Sequence, residues 1–186
     1  FKLENNIEKI NKELIQDLII HIQEEIAIRA DCTNSKPRDY ACTVLVAIVG
    51  EYAATFFQIG DGAIIVSSPE EPDDYNWVFW PQKGEYENTT YFITDDRACE
   101  NFQADYTNKR INRIAMFTDG LQSLALHYQT QTVHSPFLRP FFKYLEANEE
   151  NSLEKQNIPL KNFLNSTPVN ERTDDDKTLV LALRKI

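Results

Sequence analysis

The sequence of 186 residues predicts one domain of the α+β class, spanning residues 1–186. Three observations carry this prediction: apolar residues with helical spacing near the start, short β-prone runs in the centre, and helical stretches before a closing apolar run. The chain is long enough to form one sizeable core, and its hydrophobic share of 42% is ordinary for a folded protein. A single mixed unit of helices and strands is therefore expected.

The first element is predicted as a long amphipathic helix from about residue 5 to about residue 29. Apolar residues recur there with helical spacing, at Ile7, Ile10, Leu14, Leu18, Ile22 and Ile26. Asn5 followed by Glu8 resembles a capping box, which places the start of the helix at Asn5. The polar segment 31–39, with one proline, is expected to form a loop.

The central part of the chain is predicted to form strands. Two near-continuous apolar runs, 42–49 and 53–59, indicate strands buried on both faces. Residues 67–76 carry two prolines and four acidic residues, and they are expected to form a solvated loop. The remaining β-prone runs predict four further strands, at 63–66, 77–80, 90–94 and 113–118.

The last third of the chain predicts helices followed by one strand. Helical spacing begins after Gly120 and continues through Leu124 and Ala125. Two more helices are expected at 136–147, with Ser135 as the N-cap, and at 152–164. The apolar run 178–184 predicts the closing strand.

Charge and cysteine content exclude several classes of partner and site. The net charge of −10 argues against nucleic acid or an anionic membrane as the main partner, because both need a basic surface. Three cysteines without short spacing fit a reducing cytoplasm and do not support a zinc site. The longest apolar run, 44–49, is too short to cross a bilayer. A cytoplasmic protein is expected.

Aspartates follow or precede three of the predicted strands. Asp119 comes directly after the strand 113–118, Asp174-Asp175-Asp176 precedes the closing strand, and Asp61 lies between two glycines. Such carboxylates at strand ends suggest a metal site with oxygen ligands, which suits Mg²⁺ or Mn²⁺ better than zinc. Each motif also has a purely structural interpretation: a hairpin turn for Asp61-Gly62, a helix N-cap for Asp119, and a solvated loop for 174–176.

Four motifs in one order resemble a known family. They are Ala41-Cys42-Thr43 before an apolar strand, Gly60-Asp61-Gly62-Ala63, Thr118-Asp119-Gly120-Leu121, and Asp174-Asp175-Asp176-Lys177-Thr178. This series is similar to the later motifs of the metal-dependent, type 2C protein phosphatases. A bacterial branch of that family also carries Trp-Pro-Gln-x-Gly-Glu-Tyr, which stands here at residues 80–86.

The resemblance implies a fold, an activity and a ligand set. The family packs two antiparallel β-sheets between helices, and it hydrolyses phosphoserine or phosphothreonine in proteins with a water activated by a binuclear Mn or Mg centre. Asp119 and Asp175 match two of its metal-binding aspartates, and Asp61 matches one that helps to hold a third, weaker metal. A phosphorylated protein substrate and a cognate serine/threonine kinase are then the expected partners.

The sequence also departs from the family pattern. The first metal-binding motifs, on strands that precede the long helix, would lie upstream of Phe1, together with the basic residue that grips substrate phosphate. Ser123 stands where many members have a further acidic residue, which argues against a tightly bound third metal, although Asp61 could still contribute to a weak one. Two alternatives therefore stay open: a non-catalytic phosphatase-like module that binds a signalling partner, and a phosphatase for small-molecule phosphates.

Overall fold

The computed structural model describes residues 7–82, 90–148 and 152–185, and it confirms the α+β class with antiparallel sheets. The chain divides into two compact units. One contains residues 1–62 and 79–110, and the other contains residues 63–78 and 111–186. That residues 1–186 form a single domain stays a prediction.

The N-terminal helix α1 covers Lys12–Thr33 and starts later than predicted. Its N-cap is Asn11, whose side chain accepts a hydrogen bond from Leu14 N at 3.0 Å. The predicted cap Asn5 lies outside the described residues, and Ile7–Lys9 form a separate 3₁₀ turn. The helix also continues into the predicted loop, and its C-cap is Asn34, which adopts the left-handed conformation with φ 52°.

The buried face of α1 differs from the predicted one. Ile15 and Ile19 are fully buried, whereas Leu14 and Leu18 are 51% and 43% exposed. The helix contributes these two isoleucines to the core of the first unit, which also contains Phe57, Ile59, Ile93 and Ala98. Ile22 and Ile26 pack against that core as predicted.

The first unit contains a three-stranded antiparallel sheet in the order β1-β2-β5. Its strands are β1 at Val44–Val49, β2 at Ala54–Ile59 and β5 at Gln103–Thr107, and the short helix α2 at Ala98–Asn101 precedes β5. The central strand β2 is buried along its whole length, as predicted, but β1 is only half-buried. The prediction of a strand at 90–94 is wrong, because β5 takes the edge position beside β2.

The second unit contains a four-stranded sheet in the order β4-β3-β6-β9. Its strands confirm four predicted ones: β3 at Ala63–Ser67, β4 at Asn76–Phe79, β6 at Arg113–Phe117 and β9 at Leu179–Leu183. Since β2 and β3 belong to different sheets, the interpretation of Asp61-Gly62 as a hairpin turn is wrong.

Helices and a small hairpin complete the second unit. The predicted helices are α3 at Gln122–Ala125, α4 at Ser135–Ala147 and α5 at Leu153–Leu164, and a short α6 at Thr167–Asn170 follows. His134, and not Ser135, is the N-cap of α4. The antiparallel hairpin of β7 at Leu126–His127 and β8 at Thr132–Val133 was not predicted. None of the helices in the described ranges combines the length and apolar composition that a membrane span needs.

Candidate metal centre

Strand pairing in the second unit brings two of the predicted site residues together. β6 and β9 are antiparallel, with Phe117 opposite Leu179, so the end of one strand meets the beginning of the other. Asp119 follows β6 by two residues, and Asp175 precedes β9 by four. The sheet register therefore places two carboxylates from distant parts of the sequence at the same edge.

Thr118 joins the two segments that carry these aspartates. Its backbone N–H donates to Thr178 O at 3.3 Å, and its side-chain oxygen accepts from Thr178 N at 3.1 Å. The same hydroxyl donates to Asp176 O at 3.4 Å. These bonds extend the strand pairing past the ladder and fix the backbone on which both aspartates stand. The sequence showed Thr118 within a motif but gave no sign of this role.

Gly120 allows the two segments to approach closely. A Cβ on this glycine would lie 2.3 Å from Asp176 O and 3.4 Å from the Cβ of Asp175. Any other residue would push the segment of Asp175 away from Asp119. The Asp-Gly pair at this point is therefore explained by close packing of backbone against backbone.

The surroundings of Asp119 disfavour the ionised form of its carboxyl group when no cation is bound. Its carboxylate accepts a hydrogen bond from Gly120 N at 2.9 Å, and Asp175 orders its own loop in the same way through Asp176 N at 2.8 Å. Loss of hydration is the main cause that raises the pKa of Asp119, and the nearby charge of Asp175 raises it further. A divalent cation would relieve this repulsion.

The donor set at this edge therefore fits a hard divalent cation. Two carboxylates held on rigid, adjacent backbone are the oxygen ligands that Mg²⁺ and Mn²⁺ prefer. Within the described residues no group of three or more histidine, cysteine, aspartate or glutamate side chains stands ready to hold a metal. Asp119 and Asp175 form a pair, and Asp61 belongs to the other compact unit.

Asp61 sits on a turn whose shape is closely determined. Gly60 before it has φ +103°, and a Cβ there would lie 2.4 Å from Thr43 Cγ2 and 3.0 Å from Tyr91 O. Glycine is the residue that tolerates both conditions. The Thr43 and Gly60 motifs are thus in direct contact. Of the segment 80–86, residues 83–86 lie outside the described residues.

A cavity of about 550 Å³ adjoins the segment of Asp175. Residues of α5 and residues 175–179 line this cavity, and among them are two cations, Lys161 and Lys177. Lys177 Nζ donates to Asp175 O at 3.3 Å. Carboxylate and ammonium groups therefore border the same space, although the chain as a whole is acidic.

Comparisons with known proteins identify the family that this chain resembles. The family model described as "Protein phosphatase 2C" matches residues 2–165. Serine/threonine-protein phosphatase 3 of Escherichia coli K12 is 38% identical over 174 residues, which cover 94% of this chain and 68% of that protein. A solved bacterial serine phosphatase has a TM-score of 0.55 at 15% identity, over 94% of this chain and 71% of that one. A sex-determining protein of C. elegans has a TM-score of 0.52 at 9% identity, over 89% of this chain and 45% of that one.

Proposed function

The chain belongs to the protein phosphatase 2C family, and on this basis we propose that it acts in the hydrolysis of phosphoserine and phosphothreonine in proteins with Mn²⁺ or Mg²⁺. The observation that carries the proposal is the pairing of Asp119 with Asp175 at one edge of the sheet, by strand register and by the contacts of Thr118 and Gly120. The Escherichia coli relative that is 38% identical to this chain is named a serine/threonine-protein phosphatase.

The proposed roles follow from the chemistry of each group. Asp119 and Asp175 would hold divalent cations, and Asp61 would contribute to a further, weaker site. Bound ions of this kind lower the pKa of water and neutralise the charge of a phosphate ester. The ammonium groups of Lys161 and Lys177 border the cavity beside Asp175 and are placed to attract phosphate oxygens. The proposal also includes a cytoplasmic location and a cognate serine/threonine kinase as a partner.

The first test is hydrolysis of an aryl phosphate and of a phosphothreonine peptide, each with Mn²⁺ and with chelator. We expect Asp119→Asn to lower metal-dependent turnover by at least about 100-fold, because the variant removes a charged ligand from the site. Asp17→Asn is the matched control, since Asp17 is a carboxylate on the exposed face of α1. Its turnover should stay within twofold of the unmodified chain.

The two substrates separate the proposal from its alternatives. Turnover of both substrates that requires Mn²⁺ and Asp119 supports a protein phosphatase. Turnover of the aryl phosphate alone would point to small-molecule phosphates as substrates. A chain that folds and binds a phosphopeptide but turns over neither substrate would contradict the enzymatic proposal and favour a non-catalytic module.

A further inference from the structure

The Trp-Pro-Gln part of the segment 80–86 has no role in the proposed chemistry, yet its glutamine contacts the turn that carries Asp61. Gln82 Oε1 accepts a hydrogen bond from Gly60 N at 2.8 Å, and Gln82 Nε2 donates to Asn101 O. Gly60, Gln82 and Asn101 all belong to the first compact unit. Gln82 therefore joins the Asp61 turn to the end of α2.

The amide of Gly60 needs an acceptor from outside the sheet. The β1–β2 ladder ends at Ile59, which is paired with Val44, so Gly60 N is the first amide beyond it. Gly60 is buried, and a buried N–H without a partner costs about 1–3 kcal/mol. A side chain 22 residues further along the chain supplies that acceptor.

Glutamine suits this position because one amide group offers an acceptor and a donor together. Glutamate would keep the acceptor for Gly60 but could not donate to Asn101 O, and lysine would have the opposite defect. The side chain is half-buried, and Pro81 before it is buried, so the main chain on the amino-terminal side of Gln82 is itself fixed.

A second glutamine contacts the other polar group of Gly60. Gln58 is fully buried, and its Nε2 donates to Gln103 Oε1 at 3.1 Å and lies 3.5 Å from Gly60 O. Both peptide groups of the glycine are thus contacted by glutamine side chains. Glycine can adopt more backbone conformations than any other residue, so a turn built on it keeps one conformation only where such contacts hold it.

We propose that Gln82 is a positioning residue for Asp61, which fixes the Gly60–Asp61 turn through the backbone and thereby sets the metal affinity of the Asp61 carboxylate. This inference rests on the proposed function, in which Asp61 is a metal ligand. It predicts that Gln82 acts on metal binding only through Asp61.

The direct test of the contact is hydrogen exchange of the Gly60 amide, followed by NMR on the full chain. The unmodified protein should protect this amide, and Gln82→Met, which keeps the side-chain length but removes the acceptor, should expose it. Gln82→Glu should restore most of the protection, since its carboxylate still accepts from Gly60 N. A Gly60 amide that exchanges freely in the unmodified protein overturns the proposal without any variant.

The test of the positioning role is Mn²⁺ binding, measured from the EPR signal of free Mn²⁺. We expect Gln82→Met to weaken the affinity about tenfold, the usual effect of removing a group that orients a ligand. In an Asp61→Asn background the same change should have less than a twofold effect. Gln23→Met is the matched control, because Gln23 donates to Ile93 O and Asp95 O in the same unit. It should leave the affinity unchanged.

The outcomes separate this inference from the function on which it rests. An equal loss of affinity from Gln82→Met in both backgrounds would show a purely structural role and overturn the inference. Unchanged affinity in Asp61→Asn alone would also overturn it, while the phosphatase proposal, tested through Asp119, would stand. A third outcome is coupling of Gln82 to Asp61 in Mn²⁺ binding without any turnover that depends on Asp119. That result would contradict the proposed function and leave the inference about Gln82 standing.

Discussion

At the scale of single residues, the motifs that contain Asp61 and Asp119 depend on glycines that no larger residue can replace. Gly60 illustrates this, because it combines a left-handed φ of +103° with a contact that a Cβ would make at 2.4 Å from Thr43 Cγ2. Gly50 differs, since a Cβ there would meet Ile7 Cδ1 at 2.7 Å, which is the far end of a flexible side chain. The two glycines therefore form a natural comparison within one unit.

We expect Gly60→Ala to lower the free energy of unfolding by about 2–4 kcal/mol, from backbone strain together with overpacking. Gly50→Ala should lower it by less than about 1 kcal/mol, because Ile7 can move aside. Urea denaturation of both variants, followed by circular dichroism, measures the two values. Equal destabilisation by both variants would contradict the special requirement at Gly60.

At the scale of elements, a buried arginine links a strand, a loop and a helix. Arg113 at the start of β6 is 5% exposed, and its Nη1 donates to Pro72 O, Asp73 Oδ1 and Tyr75 OH, at 2.6, 2.8 and 2.8 Å. Its Nη2 donates to Glu146 on α4. The sequence predicts a solvated loop at 67–76, but Arg113 anchors the carboxyl-terminal part of this loop, so that part is not free in solvent.

The hydrogen bond from Arg113 is the main cause that lowers the pKa of Asp73. A carboxyl group whose pKa is lower in the folded state adds stability above its unfolded pKa of about 3.9, and this stability is lost as the pH falls through the folded value. We expect Asp73→Asn to cost about 0.5–1.5 kcal/mol at pH 7, a modest effect because the side chain is 48% exposed.

The difference between Asp73→Asn and the unmodified chain should stay constant between about pH 5 and pH 8 and shrink as the pH falls below the unfolded pKa of about 3.9. Thermal unfolding across this range tests the prediction. Asp105→Asn, on an exposed position of β5, is the control and should change stability by less than about 0.5 kcal/mol. A difference that does not change with pH would show that Arg113 does not stabilise the ionised form of Asp73.

Comparison of the elements with their predictions shows where sequence information was sufficient. The strands at 44–49, 54–59 and 113–117 were predicted because apolar runs of that length leave few alternatives, and the ordered motifs on them identified the family. The buried face of α1 was not predicted. Leu14 and Ile15 are both apolar, and tertiary packing alone decides that Ile15 faces the core. Likewise, Gln103–Thr107 forms a strand because it pairs with β2, a contact that local sequence does not record.

The candidate site shows the same division between sequence and structure. Asp119 and Asp175 could be singled out because their motifs are short and ordered, and the register of β6 with β9 then brought them together. The supporting contacts of Thr118 and Gln82 could not be predicted, because each joins segments more than 20 residues apart and depends on hydrogen bonds made only in the folded chain.

At the scale of the whole molecule, the charge of the chain makes a prediction about substrates. The chain has 29 acidic and 19 basic residues, which give a net charge of −10, whereas the cations Lys161 and Lys177 border the cavity beside Asp175. The overall field attracts basic peptides, and the local lysines attract acidic ones. Salt separates the two effects, because the overall field acts over a long distance and the lysines act locally. The Debye length is about 30 Å at 0.01 M salt and about 8 Å at 0.15 M, so added salt screens the overall field first.

We expect the overall field to dominate at low salt, so that a phosphothreonine peptide with flanking lysines has a kcat/KM about tenfold above that of the same peptide with flanking glutamates. The ratio should fall towards one between 0.01 and 0.5 M NaCl, as screening removes the long-range contribution. A peptide with neutral flanks, measured at each salt concentration, controls for salt effects on the proposed metal site itself. A preference for the acidic peptide that persists at high salt would contradict the prediction and would assign substrate choice to contacts such as those of Lys161 and Lys177.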